Sequence, residues 1–408
     1  MQRLGGAAIP MPLSSNKIQY IVGNAEILEG MKSIRALQPF DDRVIEFFNA
    51  LAGKLRANRA YPDISTFAFW CRAGALKREK EKYDDIAERL GKGIIFHVAP
   101  SNVPVNFAFS FAAGLLAGNA NIVRLSGKEF EQIDIICKAI NELLADEFTD
   151  LAPYMCFIRY EHDKDITDAI SMMSHVRVVW GGDGTINEFR KSPLPPRSTE
   201  INFADRHSLA VIRADRYLEL DNKDGLVRDF YNDTYYSDQN ACTSPRIVMW
   251  QGDDDSVIEK AKEDFWKRVH GAISGTYDLA AVQAVGKLHA LYKAAASYDV
   301  EEEDAEDMLI TRLNIDEIDE ELMDYKYNSG FFFEKDIKGL DEMLPLCTNP
   351  CQTVGYFGVE KDEIYEFIQK FRPHGVDRFV PIGKTMDFAL IWDGYDLIRG
   401  MSRRITVL

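Results

Sequence analysis

IIFHVAPSNVPVNFAFSFAAGLLAGNANIVRLS, residues 94–126, is the stretch whose reading decides the fold. Ile94–Val98 is a short apolar run rich in β-formers, closed by Ala99-Pro100-Ser101-Asn102. Residues 103–117 then read as a buried helix. Gly118-Asn119 stops it, a pair suited to the left-handed turn after a helix. Residues 122–125 look like the next strand. Further out, residues 130–145 read as helix, 154–160 as strand and 165–174 as helix. Val176–Trp180 is a β-branched strand landing on Gly181-Gly182-Asp183-Gly184-Thr185. This alternation predicts a doubly wound α/β domain on a parallel sheet. Pro193, Pro195 and Pro196 break regular structure where a second domain can begin. From Ser208 the pattern resumes with a strand at 209–213, a helix near 226–236, a turn bearing Cys242 and a strand at 246–250. Residues 254–268 and 277–295 are helical. Before the deciding stretch, the first 90 residues are mixed and helical in flavour, with helix-like spacing at 41–55. The acidic run 301–307 reads as a solvated face or a helix start.

Composition narrows the function classes. The 408 residues are 46% hydrophobic and 28% charged, enough for a large core in two or three domains. A net charge of -17 argues against a nucleic-acid groove, which needs concentrated Lys and Arg. Arg124, Lys128, Arg177 and Arg206 are the cations to watch for a local pocket holding a phosphorylated cofactor, although a solvated surface charge is the ordinary fate of each. Cys71, Cys137, Cys156, Cys242, Cys347 and Cys351 are too sparse for a disulfide-stapled scaffold. The sequence opens without a secretory signal pattern. Its longest apolar stretch, 103–116, is broken by Asn106 and Ser110 and is too short for a bilayer. The expectation is a reduced, cytoplasmic protein with no membrane and no nucleic-acid partner.

Four features carry chemistry. Cys242 stands in Asp238-Gln239-Asn240-Ala241-Cys242-Thr243-Ser244-Pro245, between a helix and a strand, where a small side chain can face a cleft. As a thiolate it is a nucleophile, but a buried, inert cysteine is the commoner fate. Asn102 precedes a helix. Spacing alone favours an N-cap over an oxyanion donor. The glycine-rich turn 181–185 after a strand suits close approach of a phosphate, a weak signal without GxGxxG spacing. Glu200 is a candidate general base, against the default of a surface or capping carboxylate. The histidines lack paired ligand spacing and Cys347/Cys351 stand without a second pair, so no metal is expected.

The order of these features resembles the aldehyde dehydrogenase superfamily, in which a strand ends in a proline–x–asparagine turn and a helix leads to a cofactor-contacting strand. Pro100-Ser101-Asn102, Gly118-Asn119 and Ile122-Val123-Arg124-Leu125-Ser126 are the matching pieces. The turn 181–185 falls where that superfamily has a glycine–small–threonine turn. More narrowly, HVAPSNVP (97–104), VWGG (179–182), ACTSP (241–245), GVDRFVPIG (375–383) and WDG (392–394) are similar to the LuxC-like fatty acyl-CoA reductases. Two departures stand out. Glu200-Ile201-Asn202-Phe203 matches the superfamily's base motif loosely, and the glutamate segment that holds the nicotinamide ribose in oxidising members has no clear counterpart.

The resemblance implies two doubly wound parallel-sheet domains with the active site between them. Residues 1–205 would be a helical region plus a Rossmann-like NAD(P) domain, 206–375 a catalytic domain, and 376–408 a segment returning to the cofactor domain or forming an oligomerisation strand. It implies that Cys242 attacks an acyl-CoA or acyl-protein thioester, that Asn102 steadies the oxyanion, and that Glu200 is the position for a base. Ser101, Arg124, Ser126, Gly181, Gly182 and Thr185 would hold NADPH or NADH, with Arg124 suited to a 2′-phosphate. It also implies a homo-oligomer, dimer or tetramer, and an acyl-protein synthetase as partner. The rival readings are an NAD(P)+-dependent aldehyde oxidiser, a non-catalytic scaffold for an acyl-transfer partner, and an acyl-phosphate reductase.

Overall fold

The computed structural model describes residues 16–58, 60–303, 305 and 307–408. Ile94–Val98 and Val176–Trp180 are strands over the expected residues, and every side chain in both is buried. Burial on both faces is what a continuous apolar run needs, and it marks the interior of a parallel sheet. Among the described residues, seven strands arise before residue 204: β1 (Gln19–Val22), β2 (Arg89–Gly91), β3 (Ile94–Val98), β4 (Ala120–Arg124), β5 (Met155–Arg159), β6 (Val176–Trp180) and β7 (Thr199–Phe203). Six form one sheet in the order β1-β5-β4-β3-β6-β7, parallel except for the β1 edge. The chain therefore leaves β3 toward β4 on one side and later returns to β6 on the other. Such a switch of direction opens a crevice at the carboxyl ends of the strands.

A second sheet follows, with β8 (His207–Arg213), β9 (Pro245–Gln251), β10 (Val300–Glu302), β11 (Thr311–Ile315), β12 (Phe331–Ile337), β13 (Cys351–Phe357) and β14 (Arg378–Pro381). Its order is β10-β11-β12-β9-β8-β13-β14, and only β10 runs antiparallel. Alternation along the strands sorts its two cores. Leu209, Val211, Ile247, Met249, Phe331 and Phe333 pack on one face. Ala210, Ile212, Val248, Trp250 and Phe332 pack on the other. The last strands are β15 (Ile391–Trp392), β16 (Tyr395–Asp396) and β17 (Ser402–Arg404), and β17 pairs with β2.

The chain thus divides into two compact units. The first runs to Ala204 and takes in Ala389–Leu408; the second is Asp205–Phe388. The return point lies after β14 because that strand hydrogen-bonds to β13 and so belongs with the second sheet.

Three local readings change. The helix expected at 103–117 is Asn106–Leu116. Pro104 disfavours helical backbone at the residue before it, so Asn102 lies in an exposed turn upstream and does not cap the helix. The helix near 226–236 is Lys223–Asp233, started by Asn222, whose side chain accepts from Gly225 N–H. Val300–Glu302, overlapping the acidic run, is an edge strand, a place where charges deter unwanted pairing; Asp304 and Glu306 lie outside the described residues. Gly118 has φ +88, the left-handed turn expected of it. No described helix is long and apolar enough to cross a membrane.

Candidate active site

Cys242 is the half-exposed thiol among six cysteines; the other five are buried. Burial pushes the thiols of Cys137 and Cys156 up to about 12, which keeps them protonated and inert. Accessibility therefore separates Cys242 from the buried-cysteine alternative.

Its loop is fixed by backbone constraint and by one buried amide. Asp238 and Gln239 both have positive φ, +53 and +57, a conformation that non-glycine residues adopt only when their surroundings hold them. Gln239 is fully buried. Its Nε2 donates to the carbonyls of Pro245 (2.9 Å) and Phe331 (3.0 Å), and its Oε1 accepts from Gly330 N–H (3.0 Å) and Phe331 N–H (3.2 Å). Asp238 accepts from Tyr277 Oη at 2.6 Å. Beneath the loop, Lys287 is buried and donates to the carbonyls of Met308, Leu309 and Ser329, holding the turn that Gln239 reads.

Side chains from two strands reach Cys242. Ser208 Oγ donates to its carbonyl at 2.7 Å, and Gln352 Nε2 lies 3.4 Å from its Sγ. Arg246 is buried four residues on. Burial pushes its guanidinium down to about 10, while the charges of Cys242 and Asp205 act to keep it protonated. His207 is held neutral, down to about 4, chiefly by burial, and its Nε2 pairs with the Leu346 carbonyl at 3.0 Å. Ser208, Arg246 and Gln352 all stand at the amino edge of the second sheet. They escaped the sequence reading because register, not spacing, brings positions 34 and 110 residues away from Cys242 onto it.

In the first unit the cofactor candidates collect at the carboxyl edge. Ser101 and Asn102 follow β3, Arg124 ends β4 with Ser126 beyond it, and Gly181, Gly182 and Thr185 follow β6. These are the strands that flank the switch point. Gly182 leads into the helix Asp183–Arg190, whose first N–H groups are the kind that receive a phosphate. A Cβ on Gly181 would sit 3.0 Å from Thr185 Cγ2, so glycine permits this tight turn. Arg124 stacks over Tyr160 with its guanidinium carbon 4.7 Å from the ring centroid, and donates from Nη2 to the Tyr160 carbonyl. Its Nε is buried and meets no acceptor among the described residues. A cation with an orphan donor, a close backbone approach and a helix start fit an anionic dinucleotide.

Below this edge lies a buried polar relay. Asn121 Oδ1 can only accept, so His97 Nε2 carries the proton (3.0 Å). His97 Nδ1 then accepts from Ser110 Oγ (2.8 Å), which itself accepts from Trp180 Nε1 (2.9 Å). The relay fixes the last residue of β6 before the glycine turn.

Glu200 is elsewhere. It pairs in register with Arg177, three residues and roughly 10 Å back from the carboxyl edge. Arg177 Nε donates to it at 2.9 Å, Arg190 at 3.0 Å and Asn202 at 2.8 Å. Burial works to raise its carboxyl, but these donors outweigh burial and hold it below the ordinary value. Arg177 spends its remaining donors on Ser171 and Ser192, and Arg206 is tied to Asp377 and to the carbonyls of Asn349 and Cys351. These two arginines are structural, which removes them from the list of phosphate candidates; Arg124 keeps its place.

This architecture is that of an aldehyde-dehydrogenase-like α/β protein. Lactaldehyde dehydrogenase from Escherichia coli superposes with a TM-score of 0.62 at 12% identity, covering 93% of this chain and 87% of that one. An NAD-dependent benzaldehyde dehydrogenase from Corynebacterium glutamicum does so with a TM-score of 0.56 at 13% identity, covering 93% and 82%. A family model described as acyl-CoA reductase (LuxC) matches residues 31–272, and the chain belongs to that family. A long-chain acyl-protein thioester reductase of Vibrio harveyi is 26% identical over 164 residues, 40% of this chain. The match spans 33% of that relative's length.

Proposed function

We propose that this protein reduces an acyl thioester, carried on CoA or on a protein, to the aldehyde through an acyl-enzyme on Cys242. The observation that carries the reading is the Cys242 loop: a half-exposed thiol on a constrained turn, with donors fixed around it. Membership of the acyl-CoA reductase family supports the thioester as substrate class.

The Cys242 thiolate attacks the thioester carbonyl, forming a C–S bond. Asn102 and backbone N–H groups near Cys242 receive the oxyanion. The tetrahedral adduct expels the CoA or carrier thiolate and leaves the acyl group on Cys242. A nicotinamide dinucleotide, when bound, supplies the hydride that reduces this acyl carbon. Collapse of the resulting thiohemiacetal breaks the C–S bond, releases the aldehyde and restores the Cys242 thiolate. Ser101, Arg124, Ser126, Gly181, Gly182 and Thr185 bind the dinucleotide, and Arg124 favours NADPH over NADH through its 2′-phosphate. Glu200 takes no proton in this scheme. Its carboxylate is already claimed by Arg177, Arg190 and Asn202. A carboxylate so engaged is a poor activator of water, which suits reduction better than aldehyde oxidation. The protein works in the cytoplasm as a homo-oligomer, supplied by an acyl-protein synthetase.

Stopped-flow mixing with a panel of acyl-CoAs, without cofactor, tests the reading. A stoichiometric CoA burst is expected, abolished by Cys242→Ala. Asn102→Ala should slow it about 100- to 1000-fold, the usual loss for one oxyanion donor. No burst with any acyl chain, and no NADPH or NADH consumption, would refute it.

A further inference from the structure

We infer that Arg246 holds Cys242 as a thiolate in the resting protein, with Gln352 fixing the sulfur's position. The inference rests on Cys242 being the nucleophile and assigns what activates it. Its geometric basis is a pair of register slips on either side of β8. On one side Ser208 pairs with Pro245 and Leu209 with Ile247, so Arg246 is left opposite no residue. On the other side His207 pairs with Cys351 and Ser208 with Thr353, so Gln352 is left opposite no residue. An extra residue in one strand re-aims its side chain, and such bulges are uncommon between parallel strands. Here two of them face each other across Ser208, the residue whose hydroxyl holds the Cys242 carbonyl. Both extra residues are polar and buried, and one already donates to the sulfur.

Arg246 is 8% exposed. Its Nε and Nη1 meet no acceptor among the described residues. A buried guanidinium with unmet donors is costly to keep, so a functional anion near it is a physical reason for its presence. The other charges around it have partners of their own. Arg206 is paired with Asp377 at 2.5 Å. His207 is neutral on the Leu346 carbonyl. Lys326 has Asp205 and Asp324 within electrostatic reach. Asp205 also acts on Arg246, and the remaining negative charge acting on it is that of Cys242. Loss of the Cys242 proton to solvent then adds a second anion, beside Asp205, to the field of this cation.

The test is the pH profile of Cys242 alkylation by iodoacetamide, followed by peptide mass spectrometry on the full chain. For the wild type, half-maximal reactivity is expected well below the free-cysteine value of about 8.5. Arg246→Gln should raise that midpoint by at least about one pH unit, slowing alkylation at pH 7 about fivefold for a midpoint that moves from roughly 7 to 8, with the alkaline plateau unchanged. Arg246→Lys, which keeps the charge, should recover most of the shift. A wild-type midpoint at or above about 8.5 overturns the inference, even if Arg246→Gln does not fold. So does an Arg246→Gln profile that overlays the wild type. Because no acyl group enters the assay, a shifted profile without a CoA burst would sink the thioester reading and leave Arg246 in place. A burst with an unshifted profile would do the reverse.

Discussion

Replacing Asp233 by asparagine should remove a pH dependence that burial imposes on the second unit. Asp233 is 1% exposed at the end of the helix Lys223–Asp233. It accepts from Gly383 N–H at 2.6 Å and Thr385 N–H at 3.2 Å, clamping the turn after β14. Burial raises its carboxyl from 3.8 to about 6, against those two donors, which favour the charge. The folded state therefore prefers the protonated acid more than the unfolded chain does. Its contribution to stability is full below pH 3.8 and is lost as pH rises through about 6. At about 1.4 kcal/mol per pH unit the whole loss is about 3 kcal/mol. Integrating the two titrations puts about 2 kcal/mol of it between roughly pH 4.5 and 7.5. In Asp233→Asn the side chain cannot ionise, and its amide can satisfy one backbone N–H but not two, a pH-independent loss of about 1 kcal/mol. Urea unfolding of both proteins across that range should show the two about level at the acid end and the variant about 2 kcal/mol more stable at the neutral end. The variant-minus-wild-type difference isolates Asp233 from every other titrating group. A difference that stays flat across the range would refute the assignment.

Two more perturbations have clear signs. His97 is held down at about 4 by burial, against 6.5 when free, so its neutral form stabilises the fold above pH 6.5 and that support fades as pH falls toward 4. The acid limb should amount to about 3 kcal/mol, and His97→Gln should flatten it in acid-unfolding curves followed by circular dichroism. Gly118→Ala meets both a left-handed backbone, φ +88, and a Cβ 2.2 Å from the Leu37 carbonyl oxygen. A loss of more than about 2 kcal/mol is expected, read as a fall in thermal midpoint.

The interior strands were the most legible part of the fold. β3 and β6 are unbroken apolar runs because both faces are buried, and that demand is written residue by residue. The helix after β3 was misplaced by three residues because Pro104 acts on its predecessor, an effect weaker than the apolar periodicity around it. The proline-closed turn that carries Cys242 made it a candidate. Its supports could not be found that way. Gln352 and Arg246 are set by slips in strand pairing, which depend on two partner strands at once and leave no spacing in either one. Glu200 shows the converse. As a lone carboxylate near a loose motif it looked like a base, and only the register of β6 with β7 reveals Arg177 beside it.

The return of Ala389–Leu408 to the first unit also governs how the chain can be made. The clasp of β17 on β2 and the hydrogen bond from Asn119 Nδ2 to the Met401 carbonyl (3.0 Å) both wait for residues translated after the second unit. The intervening Asp205–Phe388 segment is 184 residues (388 − 205 + 1). At about 5–20 residues per second a ribosome spends roughly 10–40 s on it. For that interval the nascent first unit has its sheet but not its closing strand. The Asn119 amide then has the Gly114 carbonyl but not that of Met401, and holdase chaperones have a window that a contiguous domain would not offer.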